Sequence, residues 1–178
     1  LMKVPGLIIP TNTIAFWIKL FQESNLNEAN NILHHCARVQ SREAVNLQVN
    51  RFGFKQDASL FQSVLEHIGM TGFGLAEAID LDFEKKSATV QLSFNSLGLQ
   101  HFKQFGNSEP IDYYVAGLVV GMCESFFDTD LQIVEKKCVG AGDSSCIFEV
   151  TKKNEEQFSI KQSMLDTIEE KIKPKQKT

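Results

Sequence analysis

The chain is short of the features that mark several large classes of protein. One Trp and two Tyr stand against 14 Phe, so its aromatic surface is apolar and offers few of the ring hydroxyls that grip sugars. Its 18 Lys and Arg are outnumbered by 22 Asp and Glu, for a net charge of −4. That leaves no basic footprint for nucleic acid. No apolar run reaches the ~20 residues of a membrane-spanning helix. The opening stretch from Met2 to Pro10 is too short and too interrupted by proline to be a secretory leader. Four Cys in 178 residues are too few for a disulfide scaffold and fit a reducing cytoplasm. No internal repeat, low-complexity linker or glycine-rich dinucleotide fingerprint is present.

What remains is a chain that is 43% hydrophobic, enough for one domain with a real core and a helical appendage. Ile14, Trp17, Ile18 and Phe21 recur at helical spacing after the capping residues Thr11 to Thr13. A second helix is expected from about Leu26 to Val49, with Ile32, Leu33, Cys36 and Val39 on one face. Phe52-Gly53-Phe54 ends it. Asp57 caps a third helix that Gly69 stops. Strands are expected over residues 73–83 and 87–94, joined by the polar turn Glu84-Lys85-Lys86. A short helix follows Asn95 or Ser96 and runs through Phe105. Pro110 suits the first position of the next helix, which runs to about Phe127, is nearly all apolar, and carries Gly117 and Gly121 on one face for close packing. Strands at 130–138 and 146–151 make a second hairpin around Gly140 and Gly142. Beyond Lys152 an amphipathic helix and a basic tail are expected. The fold class is α+β, with N-terminal helices packed on an antiparallel sheet of about four strands.

The densest chemistry lies in Glu135-Lys-Lys-Cys138-Val-Gly-Ala-Gly-Asp-Ser-Ser-Cys146, where a carboxylate and two thiols flank a glycine-rich turn. Such a set suits a soft divalent ion, zinc above all. Asp112, at the start of the buried helix, is a candidate fourth ligand. Four such ligands leave the site net negative, and Lys136 and Lys137 stand beside it to offset that. Residues three apart on a regular strand face opposite ways, so Glu135 and Cys138 share an ion only if the strand bulges or ends between them. Three plainer readings stand beside the metal. Cys138 and Cys146 are free buried thiols, or they form a disulfide across the hairpin, or Asp112 is simply a helix cap.

These segments resemble a known family. Pro110 to Phe127, followed by Val134-Glu-Lys-Lys-Cys-Val-Gly-Ala-Gly-Asp-Ser-Ser-Cys-Ile-Phe-Glu-Val150, is similar to the 4-vinyl reductase domain in its helix with spaced glycines, its Glu-x-x-Cys, its Gly-Asp turn and its Cys-x-Phe. The resemblance covers about Phe52 to Val150. It implies the fold of transport-particle (TRAPP) subunits and of the sensor domains of aromatic-responsive transcription activators: an apolar pocket between helices and an antiparallel sheet, with dimerisation through N-terminal helices. It also implies a structural zinc site at Asp112, Glu135, Cys138 and Cys146, with Asp112 standing where the sensors have a Cys. Ser93 falls where phenol sensors place a Trp, which argues against a simple phenol as ligand.

The expected organisation is therefore an N-terminal dimerisation region over residues 1–51, a ligand-binding domain over 52–151 and a C-terminal helix and tail over 152–178. Candidate pocket walls are Phe52, Phe54, Phe73, Phe94, Phe102, Phe105, Tyr113 and Met122. The first functional reading is a cytoplasmic homodimer that binds a small hydrophobic or aromatic ligand or lipid as sensor or carrier, signals through a separate output protein, and contacts no nucleic acid directly. The second is a dimeric adaptor without an exchangeable ligand. An enzyme comes last: His34, His35, His67 and His101 are the available bases, and none sits in a catalytic constellation.

Overall fold

The structure, a computed structural model, describes residues 11–23, 27–106 and 110–153. The expected C-terminal helix and basic tail lie outside them. Among the described residues, three α-helices, two strands, two α-helices and two strands follow in order: α1 (Thr11–Glu23), α2 (Asn27–Phe52), α3 (Ala58–Ile68), β1 (Leu75–Asp82), β2 (Ser87–Ser93), α4 (Ser96–Phe105), α5 (Tyr113–Phe127), β3 (Leu131–Lys137) and β4 (Cys146–Lys152). The strands form one antiparallel sheet in the order β1-β2-β4-β3, so β1 and β3 are its edges.

The alternation of β2 and β4 builds the core. Ala88, Val90 and Leu92 on one strand and Cys146, Phe148 and Val150 on the other are buried on the same face. Against them packs α5, apolar on every side because every side is covered. On its far side lies α2. An added Cβ at Gly117 would collide with the His34 carbonyl and one at Gly121 with the Arg38 carbonyl. The four-residue step on both helices means that α2 and α5 run parallel in close backbone contact. That contact selects which face of α2 is buried, and it is not the most apolar one. Ile32 is exposed, and Leu33, Cys36 and Val39 are only partly covered, while Asn30, Ala37, Ser41 and Val45 are buried. A seam this tight admits small side chains and expels large ones.

Two boundaries differ from expectation. α3 ends before Gly69, as expected, but the chain continues through a wide turn to Phe73, closed by Gly72 at φ +97°, so β1 starts only at Leu75. Gly74 at φ +137° lies so close to Ser93 that an added Cβ would sit 2.5 Å from its carbonyl oxygen. Pro110 precedes α5 instead of opening it. Asp112 occupies the N-cap position, with a side chain that makes no capping hydrogen bond. Its carboxylate is engaged elsewhere.

Candidate metal centre and the cavity beside it

The register of β3 against β4 slips between Glu135 and Lys137. This bulge at Lys136, followed at once by the end of the strand, turns Glu135 and Cys138 toward one side, as the shared-ligand geometry requires. A short turn over Val139–Ala141 then reverses the chain, with Gly142 in the left-handed region at φ +100°. Asp143 fixes the turn by accepting the Cys138 backbone N–H at 2.9 Å. Cys146 follows at the start of β4. Across the turn, the four ligand atoms of Asp112, Glu135, Cys138 and Cys146 come within 4.8 Å of one another.

The contacts inside this cluster are those of acids without a base. The Cys146 thiol donates to Asp112 Oδ2 at 3.0 Å, and Cys138 Sγ lies 3.7 Å from the same oxygen. Asn95 Nδ2 donates both to Asp112 Oδ2 at 2.6 Å and to Cys146 Sγ at 3.1 Å, while its Oδ1 accepts the Gly98 N–H. The Val139 N–H donates to Cys146 Sγ at 3.3 Å. Asp112 Oδ1 and Glu135 Oε1 are buried without any hydrogen-bond partner. Both thiols are free, so the disulfide alternative is not realised, and Asp112 is no ordinary cap. Lys136 does not offset the charge: its ammonium turns to Glu149, 3.1 Å away.

Crowding acids in a buried site favours their protonated forms. Burial, then Asp112 and Cys138, push Glu135 up to about 11. The hydrogen bond to Cys138 and burial push the Cys146 thiol far up. Cys138 moves down to about 7 because Cys146 hydrogen-bonds to it, so it is the thiol of the pair that ionises first. A divalent cation at the centre would replace these protons. The residues fit zinc in donor type, in number and in their two orphaned carboxylate oxygens. N–H groups aimed at the sulfur are the outer-shell support that such a site needs.

A cavity of about 530 Å³ adjoins this cluster, between α2, α5 and β3. Asn31, Tyr113 and Glu135 line one end, and Arg38, Arg42 and Asp130 the other. His34, Val39, Ala116 and Ile133 lie between them. Burial and the neighbouring Arg38 lower His34 to about 4, so its imidazole is neutral near pH 7. At the far end Glu124, with only 2% of its side chain exposed, is held by the guanidinium of Arg38 through Nε at 2.8 Å and through Nη2. It also accepts the Leu131 N–H at 3.0 Å.

Of the aromatic and sulfur residues expected to wall a pocket, Tyr113 lines this cavity. The others are dispersed. Phe52 and Phe54 pair at the exposed end of α2, with ring centroids 5.9 Å apart. Phe94 is 84% exposed, and Phe102 is also exposed. Phe73 packs on Tyr114, Phe105 packs edge-on to His101, and Met122 is core. Two residues of the site carry a weaker signal in the sequence. Asn95 reads there as a helix cap alone. Glu124 is a lone acid in an apolar helix, the signal of a buried partner.

No protein-family model matches the chain, and no curated protein does. Solved structures share its fold. The phenol-responsive sensory domain of the transcription activator PoxR, solved with phenol, superposes with a TM-score of 0.67 at 16% identity, over 90% of this chain and 82% of that one. A vinyl-4-reductase family protein from Methanocaldococcus jannaschii gives 0.54 at 19% identity, over 84% and 85%. A trafficking protein particle complex subunit 3 from Naegleria fowleri, covalently bound to palmitic acid, gives 0.53 at 13%, over 81% and 95%. The sequence-level resemblance and the three-dimensional likeness thus point to one fold.

Proposed function

We propose that this chain is a small-molecule-binding sensor or carrier module, not an enzyme, built around a structural zinc ion held by Asp112, Glu135, Cys138 and Cys146. The metal reading rests on one observation above the rest: two buried carboxylate oxygens without partners face two thiols, with no basic side chain in the cluster. The binding reading is supported by the cavity between α2, α5 and β3 and by the likeness to a sensory domain that holds phenol and a subunit that holds palmitic acid. The cavity wall is apolar along Val39, Ala116, Val120 and Ile133 and polar at both ends. That suits a small molecule with an apolar body and polar termini. The ion itself supplies cross-linking of β3, β4 and the start of α5.

The working organisation remains a dimerising N-terminal region over residues 1–51 ahead of a binding domain over 52–151, acting in the cytoplasm on a separate output protein. A dimer is favoured by α1, which exposes Phe16, Trp17 and Leu20 on the side away from its buried Ala15 and Ile18. The same face supports the adaptor reading, in which the dimer presents a surface and the cavity holds nothing exchangeable.

Native and denaturing mass spectra of one purified sample separate these readings. The binding reading expects one zinc mass per chain, lost in Cys146→Ser, and a further captured mass of a few hundred daltons in the native spectrum alone. Unchanged metal stoichiometry in Cys146→Ser would sink the assigned site. A dimer that carries metal but neither captures a ligand nor is stabilised by panels of aromatics and fatty acids moves the conclusion to the adaptor.

A further inference from the structure

Glu135 belongs to two structures at once: it is one of the four clustered donors and it lines the cavity. The other three donors are sealed. Asp112, Cys138 and Cys146 are each at most 1% exposed. Asn95 covers them on the α4 side, itself 1% exposed. The Ile111 side chain closes on Gly140 at about 3 Å from where a Cβ would stand, next to Cys138 Sγ. Glu135 is only partly buried. The cavity in front of it reaches solvent along β3, where Val134 is 48% exposed and the Asp130 side chain 75%.

Glu135 is also the donor with the most freedom to move. It is held by an edge strand, paired on one side only, immediately before the bulge at Lys136. Edge and bulged positions have fewer ladder hydrogen bonds to restrain them. Asp112, by contrast, is gripped by Asn95, and Cys146 begins an interior strand.

We propose that the metal ion enters and leaves the site through the cavity between α2, α5 and β3, with Glu135 as the ligand that detaches to let it pass. This rests on the metal reading above. Glu135 exchanges for water first; the bonds to Asp112, Cys138 and Cys146 then break in turn as water or the chelator takes their places and protons return to the thiols. The consequence is regulatory: a molecule filling the cavity stands between the ion and solvent, so cavity occupancy sets the rate of metal exchange.

The test loads the full chain with zinc and follows release to an excess of a chromogenic chelator. Val39→Trp fills the cavity from α2, and Ile133→Trp, on the same face of β3 as Glu135, fills it from the strand, so one serves if the other fails to fold. The expected result is one ion per chain in both, with release slowed by about tenfold or more, and faster release from Glu135→Gln than from the unaltered chain. Release at the unaltered rate from both filled variants, with one ion still bound, overturns the route while leaving the site. So does release that accelerates with urea as steeply as global unfolding does, because the ion then escapes only from the unfolded chain. A chain that binds no ion overturns the metal reading itself, and the route with it.

Discussion

Glu124 near the end of α5 and Asp112 just before its start are both buried carboxylates, only 12 residues apart along a helix whose body is apolar. Their surroundings differ completely. Glu124 has the bidentate Arg38, Arg42 at 3.9 Å and a backbone N–H. Asp112 has an amide, two thiols and a second carboxyl group. One end of the helix finds its cation within the chain; the other has gathered acids, and His101, which feels the Asp112 charge, is pushed down by its burial. Folding alone therefore settles the first end, while the second is built to take a cation from outside.

The sharpest way to break this comparison is to remove the outside cation. With free zinc about a thousandfold above the dissociation constant, a chelator is expected to lower unfolding stability by about 4 kcal/mol, measured as a shift in the urea midpoint at constant slope. Cys146→Ser should show the chelated value with or without zinc. The Glu124 end should behave oppositely. Arg38→Met leaves a buried charge unpaired and is expected to cost about 3 kcal/mol, by the same amount whether or not a chelator is present. A chelator-dependent loss in Arg38→Met would mean that the two ends are not independent.

Smaller, and opposite in sign, is Asp112→Asn. It relieves acid crowding in the metal-free chain, so apo stability should stay within about 1 kcal/mol, while the response to zinc weakens or disappears. The pH dependence sharpens the same point. Glu135 is raised from 4.5 to about 11 in the fold, so above pH 4.5 the folded chain keeps a proton that the unfolded chain gives up. Stability of the metal-free protein relative to Glu135→Gln should then fall as pH rises from 4.5 toward 11. With zinc bound the slope reverses, because the ion competes with protons for the same ligands. His34, lowered to about 4 from 6.5, contributes a loss of stability as pH falls through that interval, which His34→Gln should remove. Smallest of all is Phe94→Ser, expected within about 0.5 kcal/mol because the ring is largely in solvent.

The meeting of Asp112, Glu135, Cys138 and Cys146 is legible in the sequence because Cys and carboxylates at a glycine turn are chemically scarce, and because the bulge they require is local. Helices and strands were legible from their periods. The pocket was not. Whether Phe52 or Phe94 faces a cavity, the core or water depends on what packs over it, and their spacing carries no information about that. The buried face of α2 is hidden from the sequence for a related reason. Hydrophobicity pointed to Ile32 and Leu33, but Gly117 and Gly121 on another helix had already decided that only small residues fit the contact. Asn95 was visible as a helix-capping type, and its second duty toward Asp112 and Cys146 arises only when two distant segments meet.

That glycine contact has a mechanical consequence. With their backbones pressed together at His34–Gly117 and Arg38–Gly121, and stapled at the far end by Arg38 and Glu124, α2 and α5 behave as one stiff beam. The cavity is thus a vice with one fixed jaw. Any yielding to an incoming guest falls on β3, the strand that carries Glu135, and the beam hands whatever thrust remains to the helices packed on its outer side.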